Sequence, residues 1–448
     1  MGANVKGAKV KKILAAAGLI FLIIIVIGLG VRTFLNYHHG KKLEHYLAEQ
    51  KASGRLVDIS KLASPCRDVD NGALWWKAAE SLFILEQGDK SLLALVSDFS
   101  DWKPFSTEDK IKLKALLDRN RKVIELIVEA SAKPCFRYGD LQKPVLERQL
   151  PDFSLMIQAT RLLIIDALFK GEDEQIDKAL DEMLQGLAFA RLCSDEPLLI
   201  NFQISMANAR LLLYNLNRLM SEAKAPVPTP ALINIMKALD SETWRKAMTR
   251  AFKAEYGRFC FGTYELVQKG ELLPDINSVG WRGRLANWWK RPALKSEVIW
   301  VSEQYQKMIE AAELPFYKSE KEMILGGGKD IPSKYKLARL ILPRIYTVVV
   351  KEATLEAMID AARIGLACLI YRNQYGKYPE KISDLLPDIL KEEPLDPFTG
   401  QSLIYRTKED GFIVYSLGTN QKDDNGKMSE MTQLVMDKDD DWSWRQNW

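Results

Sequence analysis

Histidine is nearly missing from this chain. Its 448 residues hold three, His38, His39 and His45, gathered in one short stretch. A catalytic Ser-His or Cys-His pair in the rest of the protein is excluded unless it borrows one of them. The sequence also lacks HExxH, GxSxG, GxGxxG and a phosphate loop; Gly328-Lys329 has neither the following Ser or Thr nor the spaced glycine that such a loop needs. None of the five cysteines forms a CxxC pair, which excludes a zinc ribbon and a thioredoxin-type site. Charge of one sign is scarce too: 63 basic residues face 59 acidic ones, for a net +4. No basic stripe with interleaved aromatics stands out, so nucleic acid is not an expected partner.

What is present is ordinary for a folded protein, with 47% hydrophobic and 27% charged residues. The length suggests two or three domains. One feature is exceptional. Ile13 to Val31 reads ILAAAGLIFLIIIVIGLGV, 19 residues without a charge. At about 1.5 Å per helical residue this matches a hydrocarbon core of roughly 30 Å, and in lipid only a helix satisfies its own backbone. A cleaved signal peptide is the rival reading, with Gly28 and Gly30 imitating a small-x-small site. Lys6, Lys9, Lys11 and Lys12 precede the run, whereas Arg32, Lys41 and Lys42 follow it. That bias favours a cytoplasmic N-terminus and a body outside the inner membrane, in the periplasm. No second run of like length occurs, so a single pass is expected.

Five divisions follow: a basic leader (1–12), the transmembrane helix (13–31), a juxtamembrane segment (32–57), a helical domain (58–342) and a C-terminal domain (343–448) together make up the chain. In the helical domain apolar residues step by three and four, as in Leu199, Phe202, Met206, Ala209, Leu213, Leu216 and Met220. Ile176, Leu180, Met183, Leu187 and Ala190 repeat the pattern, as do Met156, Ala159, Leu163 and Ala167. Short links between them, with Gly171 suited to a helix stop and Pro197 to a first turn, imply stacked antiparallel hairpins. No regular repeat with tetratricopeptide positions is found. The stretch Ala225-Pro226-Val227-Pro228-Thr229-Pro230 reads as a stiff connector, and Gly326-Gly327-Gly328 as a loop tip or hinge. The segment from Trp281 to Arg291 mixes tryptophan with arginine and lysine. Such a mix suits a lipid surface, and aromatics equally cover grooves between helices. Cys66 and Cys135 each follow a proline, and in an oxidising compartment they would be able to pair. Cys193 and Cys368 fall in apolar patterns and read as packed thiols.

The C-terminal domain carries a mixed pattern. A helix is expected from about Ile345 to Tyr375, capped by Gly376, then a short helix through Leu385 and Leu386. Asp396-Pro397 sets a turn. Ser402–Arg406 and Phe412–Leu417 read as an antiparallel hairpin around Asp410-Gly411. The fold class expected is thus mainly α, with stacked hairpins, a transmembrane helix and a small α+β module at the end.

On Tyr371-Arg372, Gly376-Lys377-Tyr378-Pro379, Asp396-Pro397-Phe398-Thr399-Gly400, Tyr405, Val414-Tyr415-Ser416-Leu417-Gly418 and the acidic stretch ending Asp439-Asp440-Asp441-Trp442-Ser443-Trp444, the last hundred or so residues resemble the C-terminal part of the major pseudopilin of type II secretion, pseudopilin G. From about Pro65 the chain also looks like bacterial membrane-anchored helical proteins with this same ending, through Leu117-Asp118-Arg119-Asn120 and Asp195-Glu196-Pro197-Leu198-Leu199-Ile200; that likeness carries architecture and no activity. Residues 1–31 lack the Gly-Phe-Thr-Leu-like processing site and the apolar-helix glutamate of a pseudopilin. The ending therefore reads as a reused module. The resemblance implies calcium at the loop after the last strand, through the Leu417 carbonyl and the carboxylates of Asp439 and Asp441, with Asp423 and Asp424 as nearby candidates. A solvated acidic tail is the plainer alternative. An EF-hand does not fit, because its first and twelfth positions would be Gln421 and Thr432.

Two functions are expected from these features. The first is a membrane-anchored, non-enzymatic binding or scaffold component of the envelope, with protein partners there and a tie to a type II secretion or pilus-like assembly. The second is a carboxylate-dependent hydrolase of a cell-wall polymer, for which two facing carboxylates in a deep pocket would speak.

Overall fold

The computed structural model describes residues 2–55, 59–97, 104–141, 148–224, 226–269, 281–323, 331–408, 410–427 and 442–447. Helices dominate, at 70% of the chain, so the mainly-α expectation holds. Close contacts divide the chain into two units. The first gathers Met1–Val57, Tyr256–Gln306 and Pro332–Ala338. The second gathers Asp58–Glu255, Lys307–Ile331 and Arg339–Trp448.

In the first unit, α1 (Gly2–Ala52) contains the apolar run. Most of it is bare: Phe21 is 65% exposed, Ile24 61% and Ile27 59%. From Leu14 onward it is long and apolar enough to cross a membrane. Burial begins beyond the run, at Arg32, and the first buried apolar side chain is Leu43. There Tyr256, Cys260, Ser302 and Tyr305 form a packed cluster, with the Cys260 thiol 3.3 Å from the Ser302 hydroxyl and the rings of Tyr256 and Tyr305 6.0 Å apart.

The second unit begins with two short helical pieces around a longer one: α2 (Ile59–Leu62), α3 (Gly72–Leu82) and α4 (Asp89–Leu93). Asn71 caps α3 by accepting from the Ala73 amide at 3.0 Å. Its side chain also exchanges two 2.9 Å bonds with the Arg137 backbone. Beside this seam Cys66 and Cys135 are joined in a disulfide, with their Cα atoms 5.8 Å apart. Gly72 is required here, since a Cβ would come within 2.9 Å of the Ala130 carbonyl.

Then come α5 (Thr107–Arg119), α6 (Arg121–Ser131), α7 (Phe153–Glu172), α8 (Ile176–Cys193), α9 (Leu199–Glu222) and α10 (Thr229–Ala238). Ser106 and Asp152 cap α5 and α7. Helices α7, α8 and α9 pack on one another in sequence, as short antiparallel links require. The expected stripes are buried: Met156, Ala159, Leu163 and Ala167; Leu180, Met183, Leu187 and Ala190; Phe202, Met206, Ala209, Leu213, Leu216 and Met220. One expectation needs correction. Gly171 is not the helix stop: α7 continues to Glu172, and the left-handed residue is Glu174, at φ 61°. Gly171 instead admits Leu219, whose Cδ1 would lie 2.4 Å from an added Cβ. Pro197 likewise precedes the first turn, since α9 starts at Leu199.

Helix α9 is buried on every side from Asn208 to Met220, broader than a single stripe. It stands at the centre of the unit. After α11 (Ser241–Lys269), α12 (Trp281–Ala312) and α13 (Phe316–Met323) comes α14 (Lys336–Tyr375), which starts nine residues before the expected Ile345. Gly376 closes it at φ 75°, its amide donating to the Arg372 carbonyl at 2.8 Å, as expected. The glycine run 326–328 lies outside the described residues.

The sheet has three strands where two were expected. β1 (Ile404–Lys408) pairs antiparallel with β2 (Gly411–Ser416), with Ile404 opposite Tyr415. β3 (Trp442–Gln446) pairs with the other side of β2, with Val414 opposite Trp444. Trp442-Ser443-Trp444 alternates with period two, but it is too short to read as a strand without its partner. Gly365 of α14 makes the fit, because a Cβ there would meet Trp444 Cδ1 at 2.2 Å.

The free edge of β3 is closed by α9. Asn217 Nδ2 donates to the Arg445 carbonyl at 2.8 Å, and its Oδ1 accepts from the Arg445 amide at 3.2 Å. Ser221 Oγ adds a bond to the same carbonyl at 2.9 Å. The Asn217 amide thus substitutes for a neighbouring strand. Asn217→Ala is expected to cost about 1 kcal/mol, because the half-buried Arg445 amide loses its Asn217 acceptor while the carbonyl keeps the Ser221 hydroxyl. Hydrogen exchange across 442–446 should rise with it; unchanged exchange and melting would refute the edge lock.

Candidate functional site

The loop after β2 is the first place to look. Leu417 donates its amide to Asp396 Oδ2 at 3.0 Å. Asp396 is buried and also accepts from the Ser416 hydroxyl and the Phe398 amide, both at 2.9 Å. One carboxylate therefore ties the Asp-Pro-Phe-Thr-Gly turn to the end of β2, each oxygen satisfied by protein donors. Phe398 packs edge-on against Phe316 at 5.3 Å, and the Tyr317 amide donates to the Pro397 carbonyl at 2.9 Å. The turn is thus held by α13. Sequence reading marked the turn but not this use of its aspartate.

Asp423 accepts from the Tyr415 hydroxyl at 2.8 Å, from the Asn425 amide at 2.9 Å and from Arg406 at 2.7 Å. The bond from Tyr415, with those from Asn425 and Arg406, holds this carboxyl below the usual carboxylate range. The second arm of Arg406 donates to Asn425 Oδ1 at 2.8 Å. Asp424 accepts from the Asn420 amide group at 2.8 Å. Asp439 and Asp441 lie outside the described residues. Among the described residues no group of three or more His, Cys, Asp or Glu side chains converges to hold a metal ion. The two carboxylates in view are already engaged, and a cation at Asp423 would compete with the Arg406 guanidinium.

A second constellation was not foreseen. Glu352, Glu356 and Asp360 step by four along α14 and are all buried. Residues four apart share one helix face. Arg245 of α11 ion-pairs with Glu356, and Arg363 reaches Asp360 at 3.2 Å. Glu352 Oε1 and Glu356 Oε2 have no hydrogen-bond partner. Burial, with Glu356 as a like-charged neighbour, pushes Glu352 up to about 8. Burial likewise raises Asp360 to about 7 and drives Glu356 upward. Raised carboxyls suit acid catalysis. These three, however, lie in a row on one helix, not across a cleft from one another. Four-residue spacing alone does not distinguish a buried carboxylate from a solvated one.

Buried charge recurs at Lys170, which reaches Asp166 at 3.0 Å and Glu182 of α8 at 2.6 Å. Burial, with Asp166 nearby, pushes Glu182 up to about 8.

A groove of about 710 Å³ lies between the connector Pro226–Pro228, the end of α14 and β3. Asn373 anchors the connector, donating to the Val227 carbonyl at 2.8 Å. Arg372 and Lys224 border this groove, with Leu369 and Met220 supplying its apolar part. No nucleophile–base pair lies along it. It is a place to bind, without a group to react.

No protein-family model matches the chain, and no curated protein or solved structure shows significant similarity to it.

The pH dependence of the carboxylate row has a definite sign. Glu352 is raised in the folded state, so the fold binds its proton more tightly than the unfolded chain does. The resulting stability is fully present below about pH 4.5 and is lost as pH rises through about 8. Glu352→Gln, which needs no proton, should raise the melting temperature at pH 8.5 and change it little at pH 5. An equal effect at both pH values would contradict this assignment.

Proposed function

We propose that this is a membrane-anchored envelope protein acting as a non-enzymatic binding scaffold. Its body would lie on the periplasmic side of the inner membrane, and its pseudopilin-like ending would dock onto a type II secretion or pilus-like assembly. The observation that carries the reading is that the chain combines an exposed apolar helix with a Cys66–Cys135 disulfide later in the sequence. Disulfides persist in oxidising compartments and are rare in the cytosol. Cys193, Cys260 and Cys368, by contrast, are buried free thiols. Burial raises the Cys193 and Cys368 thiols, which keeps them protonated and inert.

A scaffold role draws on the open groove beside the connector and on the scarcity of histidine. The hydrolase reading would need two carboxylates facing a shared cleft, and the row on α14 does not offer that arrangement. Calcium belongs to the proposal through Leu417, Asp423, Asp424, Asp439 and Asp441, as a ligand that would tighten the last loop.

The test is affinity capture of the full chain from its native membrane, with calcium or with a chelator. Components of a secretion or pilus-like assembly should be enriched, more strongly with calcium. Their absence under both conditions would defeat docking. Equal recovery in the two would remove calcium from the account.

A further inference from the structure

Helix α12 begins with sixteen residues, 281–296, that contain five cations (Arg282, Arg284, Lys290, Arg291 and Lys295) and no acidic residue. Tryptophans occupy positions 281, 288 and 289 of the same stretch. This segment does not stand apart from the apolar helix. An added Cβ at Gly28 would lie 3.7 Å from the Trp289 ring, and Gly28 falls within the apolar run. One turn further, the Arg32 guanidinium lies 3.2 Å from the centre of the Trp288 ring and its Nε donates to the Trp288 carbonyl at 3.2 Å. Further still, Lys295 Nζ donates to the Asn36 carbonyl at 3.2 Å. From Gly28 and Arg32 to Asn36 and Gly40 the partner on α12 changes from Trp289 and Trp288 to Lys295, so α12 runs alongside α1 in the same direction. Its Trp-rich start is therefore level with the outer end of the apolar run.

Two large apolar side chains of this stretch are exposed, together with Lys290. Leu285 is 55% exposed and Trp289 53% exposed, although Trp289 touches α1. Phe34 and Tyr37 of α1, just past the run, are each 66% exposed. If the segment merely covered a groove between helices, these side chains would be buried. They are bare at the depth where aromatic side chains gather at a bilayer boundary. Cations on the same stretch are what anionic headgroups attract, each worth about 1 kcal/mol close to the surface.

We infer that the first turns of α12, from Trp281 to about Lys295, form a second membrane contact that lies in the interface and recognises anionic phospholipid headgroups. This rests on the reading of α1 as a membrane anchor. It adds an interfacial helix that fixes how the first unit meets the bilayer. Trp289 and Leu285 enter the headgroup boundary, and Lys290 and Arg291 engage lipid phosphates, while Lys295 is taken up by α1.

The full chain can be tested with one spin label. Leu285→Cys supplies an exposed thiol, whereas Cys66 and Cys135 are bonded and Cys193, Cys260 and Cys368 are buried. Ile111→Cys, at a site 68% exposed on α5, serves as the aqueous control. In proteoliposomes of phosphatidylcholine with phosphatidylglycerol, the label at 285 should collide several-fold less with a water-soluble nickel chelate than the label at 111, and more with oxygen. Its nickel access should increase in phosphatidylcholine alone. Equal nickel access at the two positions, in protein that floats with the vesicles, overturns the interfacial helix and leaves the anchor standing. Equal access at 285 in both lipids overturns the choice of anionic headgroups. Protein that does not float overturns the anchor and this inference with it.

Discussion

From Leu14 to Ile27 every side chain is exposed, and that single condition governs the rest of the structure. In water they would form an exposed patch far larger than a soluble protein carries. In lipid each Leu, Ile, Phe or Val contributes about 0.3–0.6 kcal/mol to insertion, with no charge in the run to oppose it. Once this helix is placed in a bilayer, the first unit has to accommodate the exit of α1 into water. Arg32 over Trp288 and Lys295 on the Asn36 carbonyl are the contacts that do so. The disulfide later in the sequence then suits an oxidising environment.

The second unit is organised around α9. That helix meets α7 and α8 through apolar surface and the sheet through polar atoms. Asn217 and Ser221 close the β3 edge, while Gly365 admits Trp444 against α14. Phe316 and Tyr317 hold the Asp-Pro-Phe-Thr-Gly turn from another side. The C-terminal strands and turn are thereby joined to helices from well before them in sequence. Buried carboxylates on α14, lodged near Arg245, add a polar layer whose protonation state matters to stability.

How much of this was legible in the sequence follows from the range of each signal. The apolar run, the stripes on α7, α8 and α9, the Gly376 cap and the first hairpin are local patterns, and all were readable. Cys66 and Cys135 could be named as able to pair, but pairing depends on a fold that brings positions 69 apart in sequence together. The third strand was missed because five residues with two tryptophans gain their meaning only beside β2. Gly171 misled, since its purpose is close approach to Leu219 and not a left-handed turn. Glu352, Glu356 and Asp360 look in sequence like any solvated helix face. Only Arg245, more than a hundred positions earlier, shows that this face is inward.

Protease access in cells and in spheroplasts, followed on membranes washed at high pH, tests the central claim most directly. The account predicts a chain that stays in the washed membrane, survives in intact cells, and loses its body to protease once the outer barrier is opened, leaving a short N-terminal fragment. A body that stays protected in spheroplasts, or a chain recovered in the soluble fraction, would contradict it.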